Sequence, residues 1–115
     1  MTEDQTHLVE RIHALIATEP AIREISMFGG RSIMVNEKII VSALKDGRLL
    51  VRVDAARHDE LLSREGAAQA MMGPGRTMGP GWINVSVDAI RDNKQLAAWI
   101  EIAMDYNRAV TGGHP

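Results

Sequence analysis

The sequence predicts an α+β domain in which helices pack on an antiparallel sheet, in the order α-β-β-β-α-β-β-α. Three observations carry that expectation. Apolar residues recur at helical spacing near both ends, at Leu8, Val9, Ile12, Leu15 and Ile16 and again at Leu96, Trp99, Ile100, Ala103 and Met104. Between them lie β-branched and aliphatic runs at 33–35, 39–44 and 49–53, too short for helices and parted by Asn36-Glu37 and Asp46-Gly47. Strands grouped together, rather than alternating one by one with helices, give antiparallel sheets.

Taken in order, Thr2 and Gln5 form a capping-box pattern that starts the first helix, and Pro20 is expected to stop it. In segment 25–31 the pair Gly29-Gly30 after Phe28 suggests a bulge or kink on entry to the first strand. The three runs make a meander, with Asp46-Gly47 a strong two-residue hairpin signal. Asp54 is placed to cap a helix over 55–65 that turns Leu61 and Leu62 inward and stops at Gly66. A short strand is expected near 68–72. Residues 82–87 alternate strictly, with Ile83, Val85 and Val87 on one face and Trp82, Asn84 and Ser86 on the other. Asp92 caps the last helix, and Gly112 and Gly113 lie beyond its end.

The 115 residues suit one domain, spanning 1–115, and 45% hydrophobic residues are enough for a single core without a metal or disulfide staple. With 13 Lys plus Arg against 15 Asp plus Glu, dispersed along the chain, there is no basic footprint for nucleic acid. The absence of cysteine removes disulfides, thiolate chemistry and cysteine-ligated zinc, and fits a reducing cytoplasm. No apolar run has membrane-spanning length, and the start Met1-Thr2-Glu3-Asp4 lacks the basic character of a secretory signal. The expectation is a cytoplasmic protein with no membrane contact.

If both meander turns have two residues, Val35 faces Lys38 and Lys45 faces Arg48. One face then holds Ile33, Val35, Ile40, Ser42, Leu44, Leu49, Val51 and Val53, almost pure core. The other mixes Met34, Ile39, Val41, Ala43 and Leu50 with Ser32, Lys45, Arg48 and Arg52, and is too apolar to lie freely in water. Either a helix of the same chain covers it, or it meets a partner. On the second reading Arg48, Arg52, Trp82, Met34 and Leu50 are the candidate contacts with another protein or a second copy of the chain, because an apolar centre with arginine and tryptophan is what interfaces are made of.

The most unusual stretch is Met-Gly-Pro-Gly at 72–75, repeated at 78–81 around Arg76 and Thr77. Glycine and proline in this density specify a shaped backbone. The loop between Gly73 and Gly81 fails as a P-loop, because Met78 stands where the Gly-Lys-Ser/Thr element should begin, and it fails as a dinucleotide fingerprint for the same reason. A structural pair of turns is the simpler reading, with a weak anion site at Arg76 and Thr77 as the alternative.

No catalytic constellation is legible, so the chain reads as non-enzymatic. His7 and His13 are six apart on a helix and face different ways, His58 has only sequence neighbours Asp59 and Glu60 to work with, and His114 lies in the tail. Neither a metal site nor a cofactor is expected. Lys38, Lys45, Arg48 and Arg52 gather in the meander, but no strand-borne aromatic platform accompanies them, which argues against direct nucleic-acid binding. The seven methionines fill core gaps or mark an adaptable surface.

Several motifs in fixed order resemble the TfoX/Sxy N-terminal domain family: Met27-Phe28-Gly29-Gly30, Asn36-Glu37-Lys38, Asp46-Gly47-Arg48-Leu49 with Arg52-Val53, Gly66-Ala67, and Met78-Gly79 followed by Trp82. The resemblance spans about residues 8 to 110. It implies an α+β fold of the secretion-chaperone-like type and a regulatory rather than catalytic role, since the named members act in bacterial natural competence with a cyclic-AMP-responsive transcription factor. Those regulators carry a second, helical C-terminal domain, whereas this sequence ends at Pro115, so the expectation is a stand-alone N-terminal-type domain with no competence role carried over. Residues 31–34 also lack an aromatic that many relatives have.

Overall fold

The structure, a computed structural model, describes residues 1–27 and 29–112. Phe28, Gly113 and His114, named above at the strand entry and in the tail, lie outside the described residues.

Helix α1 (Glu3–Leu15) starts on the expected capping box, with the Thr2 hydroxyl accepting from the Gln5 amide and the Gln5 side chain accepting from the Thr2 amide. It ends at Leu15, well before Pro20, with the Ile16 N–H closing the last turn on Ile12. That closure turns Ile16 into the core and leaves Leu15 exposed.

Eight strands follow the predicted class with additions. Strands β1 (Ile22–Met27), β2 (Gly30–Val35), β3 (Lys38–Leu44) and β4 (Leu49–Arg52) form an antiparallel meander. The first of them was not expected. The glycines after Met27 therefore serve a hairpin between β1 and β2, and no bulge forms there, since β1 and β2 pair in continuous register from Ile22↔Val35 to Met27↔Gly30. Gly30 has to be small for another reason: a Cβ there would lie 2.6 Å from the Ala43 carbonyl oxygen on β3.

Two features change the predicted faces. The β2–β3 turn at Asn36-Glu37 has two residues at positive φ and pairs Val35 with Lys38 as expected, but the register slips between Ile33 and Met34, leaving Ile40 as an extra residue in β3. The β3–β4 turn has three residues, closed by Gly47 N–H on the Leu44 carbonyl and by Leu44 N–H on the Arg48 carbonyl, so Lys45 does not face Arg48. Val41 and Ala43 consequently join the core face, while Ser42 and Leu44 move to the opposite one. Ser42 remains buried there, its hydroxyl accepting from Ser32 at 3.1 Å.

After β4, Asp54 caps a 3-10 turn (Ala55–Arg57) rather than a full helix, and only His58–Leu62 is α-helical, as α2. Leu61 is fully buried and Leu62 half-buried. Strand β5 (Ala67–Gln69) pairs with β8 (Trp82–Val85), which pairs with β4, giving one six-stranded sheet in the order β1-β2-β3-β4-β8-β5. The glycine-proline repeat lies between them. Its first half forms the turn of a separate hairpin, β6 (Met71–Gly73) with β7 (Arg76–Thr77), where Pro74 at its fixed φ and Gly75 at φ +72 are the two turn residues. Strand β8 stops at Val85, because Ser86 opens a second 3-10 turn (Val87–Ile90), and Val87 is exposed rather than inward. Helix α3 (Asn93–Thr111) begins on a capping box of Asp92 with Gln95 and ends on Gly112 in the left-handed conformation.

All three helices pack on one face of the sheet. The core joins Ile12, Leu61, Leu96, Trp99 and Ile100 from the helices to Ile33, Val41, Val51, Ile83 and Val85 from the strands. At its margin Glu24 meets Arg31 at 2.7 Å and His13 at 3.1 Å. Burial pushes the Glu24 carboxyl up, but the hydrogen bonds and charge of His13 and Arg31 outweigh it and hold the group below its ordinary value of 4.5. A lowered carboxylate contributes stability that is complete above about pH 4.5 and is lost as the pH falls through the lowered value. Glu24→Gln should therefore flatten the acid limb of the stability profile, read as denaturation midpoints between about pH 3 and 6. An unchanged acid limb would show that the cluster contributes nothing.

Candidate interaction surface

The sheet face opposite the helices is built by the register itself. Ile25, Ser32, Ser42, Leu50, Asn84 and Ala68 pair in one row across all six strands, flanked by Met27, Gly30 and Leu44 on one side and by Arg23, Met34 and Ile39 on the other. Among the described residues no helix lies over this row; the expectation that one might cover it is not met. Part of it is shielded by the β6–β7 hairpin, and between that hairpin and the Lys45-Asp46-Gly47 turn runs a groove of about 690 Å³. Leu44, Leu50 and Ala68 lie at its base, with Met71, Met72 and Met78 along one side. Met71 and Met72 are exposed, and Met72 keeps 64% of its surface in water. Unbranched thioether side chains adapt to a varied apolar partner.

A second groove, of about 410 Å³, opens at the end of the sheet where the last turns of α3 come alongside. Arg52 is held there between two rings, 5.0 Å from the centre of Trp82 and 5.2 Å from that of Tyr106, and donates to the Tyr106 hydroxyl at 3.3 Å. The space it fills exists because residue 81 is glycine. A Cβ at Gly81 would overlap the guanidinium, and its φ of +97 is one that other residues rarely adopt.

The backbone of Gly81 is fixed from both sides. Its carbonyl accepts from Val53 N–H at 2.8 Å and its N–H donates to His58 Nδ1 at 2.9 Å. With Nδ1 an acceptor, the neutral imidazole carries its proton on Nε2, which donates to Gln69 Oε1 at 2.8 Å. Gln69 in turn donates to the carbonyls of Ala70 and Gly79. The second half of the Met-Gly-Pro-Gly repeat is thus tied to α2 and β5, which sets where Trp82 enters β8.

The residues nominated from sequence divide between the two grooves. Met34, Arg52 and Trp82 come together in the smaller one; Arg48 and Leu50 line the larger. Leu50 is only 3% exposed and serves as base rather than contact, and Arg48 is turned onto Asp46 at 2.7 Å within the turn. Arg76 and Thr77 are exposed on β7 and line neither groove. Sequence reading overlooked Tyr106, which it assigned only to the last helix, and it saw for His58 only the neighbouring Asp59 and Glu60, whereas that side chain is 5% exposed. Met71 and Met72, expected at the end of a short strand near 68–72, belong to the separate strand β6. A signal for Tyr106 existed: it lies two positions beyond the inward stripe residue Met104, at the helix flank where a half-buried aromatic meets its neighbours.

Among the described residues no group of three or more His, Asp or Glu side chains is placed to hold a metal ion, and every buried side-chain nitrogen or oxygen has a partner. No helix among them is long and apolar enough to cross a membrane. A small α+β domain with a half-covered antiparallel sheet is the class that fold and surface define. Residues 14–106 match the TfoX N-terminal domain family, and the chain belongs to that family. Comparison with curated proteins finds no match.

Proposed function

We propose that the chain is a small cytoplasmic, non-catalytic interaction module that receives an apolar segment of another protein, or of a second copy of itself, on the helix-free face of its sheet. The observation that carries this reading is the one-sided placement of the helices, which leaves a methionine-walled groove over Leu44 and Leu50. Exposed apolar surface gathered in one place costs solubility and is most simply accounted for by a partner. The absence of cysteine supports a reducing compartment. The regulatory character comes from the family resemblance alone.

The test uses Met72→Glu, which changes a residue already in water and should leave the fold unchanged. Sedimentation velocity should show either self-association of the wild type that the variant lacks, or a cross-linked partner recovered from cells with the wild type and lost with the variant. A wild type that stays monomeric at about 100 µM, with recovered proteins indifferent to the substitution, would sink the reading.

A further inference from the structure

We infer that the smaller groove is a binding site for a carboxylate carried on a compact apolar body, with Arg52 as the residue that recognises the charge. Arg11, Arg64 and Arg76 aside, the other arginines, Arg23, Arg31, Arg48, Arg57, Arg91 and Arg108, each meet a carboxylate of the same chain. Arg52 does not. Among the described residues it has no ion pair, and its one hydrogen bond goes to a neutral phenol. It is also half-buried, so water repays only part of its desolvation, and the two ring faces offset only part of the remainder.

The surroundings select the ligand's chemistry. Among the described residues Lys38 stands exposed at the rim without an ion pair, and the one carboxylate lining the groove, Glu37, is engaged by Arg23 at 3.3 Å, so the groove presents two cations to a ligand. Met34, Ile39 and Val110 complete the walls with apolar surface. A planar guanidinium matches the two oxygens of a carboxylate in a bidentate pair. A phosphate dianion is better served by a nest of backbone N–H groups. About 410 Å³ suits a ligand of roughly ten heavy atoms, and at ordinary ligand efficiency such a ligand binds with Kd near 1 mM. This site is separate from the methionine-walled groove, and its test does not depend on that reading.

The probe is phenylacetate, titrated into the full chain while the indole N–H resonance of Trp82, assigned through Trp82→Phe, is followed. A saturable shift at millimolar concentration is expected, at least tenfold weaker for the neutral phenylacetamide and for inorganic phosphate. A short peptide ending in a free phenylalanine carboxylate, beside its amidated form, distinguishes a protein C-terminus from a free acid as the source; binding of either carboxylate supports the site. Arg52→Gln should abolish the shift. Because that change also removes the ring contacts, Val110→Glu provides an independent arm: the residue is 48% exposed, and a carboxylate placed in the groove should compete with the ligand and weaken it about tenfold without disturbing the fold. No saturable shift with either carboxylate, or equal binding of acid and amide, overturns the proposal.

Discussion

Replacing Gly66 by valine is expected to destabilise the protein by about 3–5 kcal/mol, the larger of the two main effects foreseen here. Two costs add. Gly66 has φ +79, where a β-branched side chain is strained by about 1–2 kcal/mol. A Cβ would also overlap that of Ala89 and lie 2.7 Å from the Ser86 hydroxyl, in a corner where Ser86 N–H already donates to the Gly66 carbonyl at 2.9 Å. The Ser86 hydroxyl can turn away, but the Ala89 Cβ is fixed to the backbone, so the 3-10 turn after β8 must shift. The expected loss is about 12–20 °C in Tm for a domain of this size. The pair Gly66→Ala and Gly66→Ala with Ala89→Gly separates the costs: the second change should recover the overlap part and leave the backbone part. If Gly66→Val melts within about 2 °C of the wild type, the packing described for this corner is wrong.

The second large effect falls on His58. His58→Ala should cost about 2–4 kcal/mol, because it leaves the buried Gly81 N–H and Gln69 Oε1 without partners and opens a void beneath the glycine-proline loop. An unmade buried hydrogen bond costs more than a made one contributes, so the loss combines the two missing contacts with the void. His58→Asn keeps an oxygen near the place of Nδ1 and should retain the Gly81 bond, and with it a good part of the stability. The distinguishing measurement is hydrogen exchange at the Gly81 amide, which should accelerate strongly in the alanine variant and only modestly in the asparagine variant. Equal exchange in both would remove His58 from this role. Since Gly81 gives Arg52 its place beside Trp82, loosening the loop should also blunt the response of the smaller groove to carboxylates.

Both residues show where sequence reading succeeds and where it stops. Local chemistry was legible. The box of Thr2 with Gln5, the Asp92 cap, the αL stop at Gly112 and the inward stripe of α3 all depend on neighbours within one or two turns. The class followed from them. Strand β1 escaped because its burial is irregular: Ile22, Glu24 and Ile25 are half-buried while Arg23, Ser26 and Met27 are exposed, so no period of two stands out at a sheet edge. The bulge at Ile40 escaped because one extra residue leaves no trace in composition yet changes the parity of everything after it, which is why Val41 and Ala43 exchanged faces with Ser42 and Leu44. His58 was undervalued because its partners lie 11 and 23 positions away, brought together only by the pairing of β5 with β8. The doubled Met-Gly-Pro-Gly was rightly read as turn chemistry, but the two copies do different things: one turns a hairpin, the other threads past Arg52.

The unequal ends of the sheet bear on how such a molecule avoids sticking to itself indiscriminately. A helix-free sheet face beside two open edges is an arrangement from which ordered aggregates grow, one chain adding its backbone to the next. Here one edge strand, β5, is three residues long and offers little to template. The other, β1, is six residues long but carries Arg23, paired with Glu37, and Glu24, paired with Arg31, and is entered through Ala21 at a positive φ that bends the approaching chain. Charge and a bent approach make strand addition at that edge unfavourable while leaving the methionines of the face untouched. Open-ended stacking of one chain's edge on the next is thereby disfavoured at both ends of the sheet.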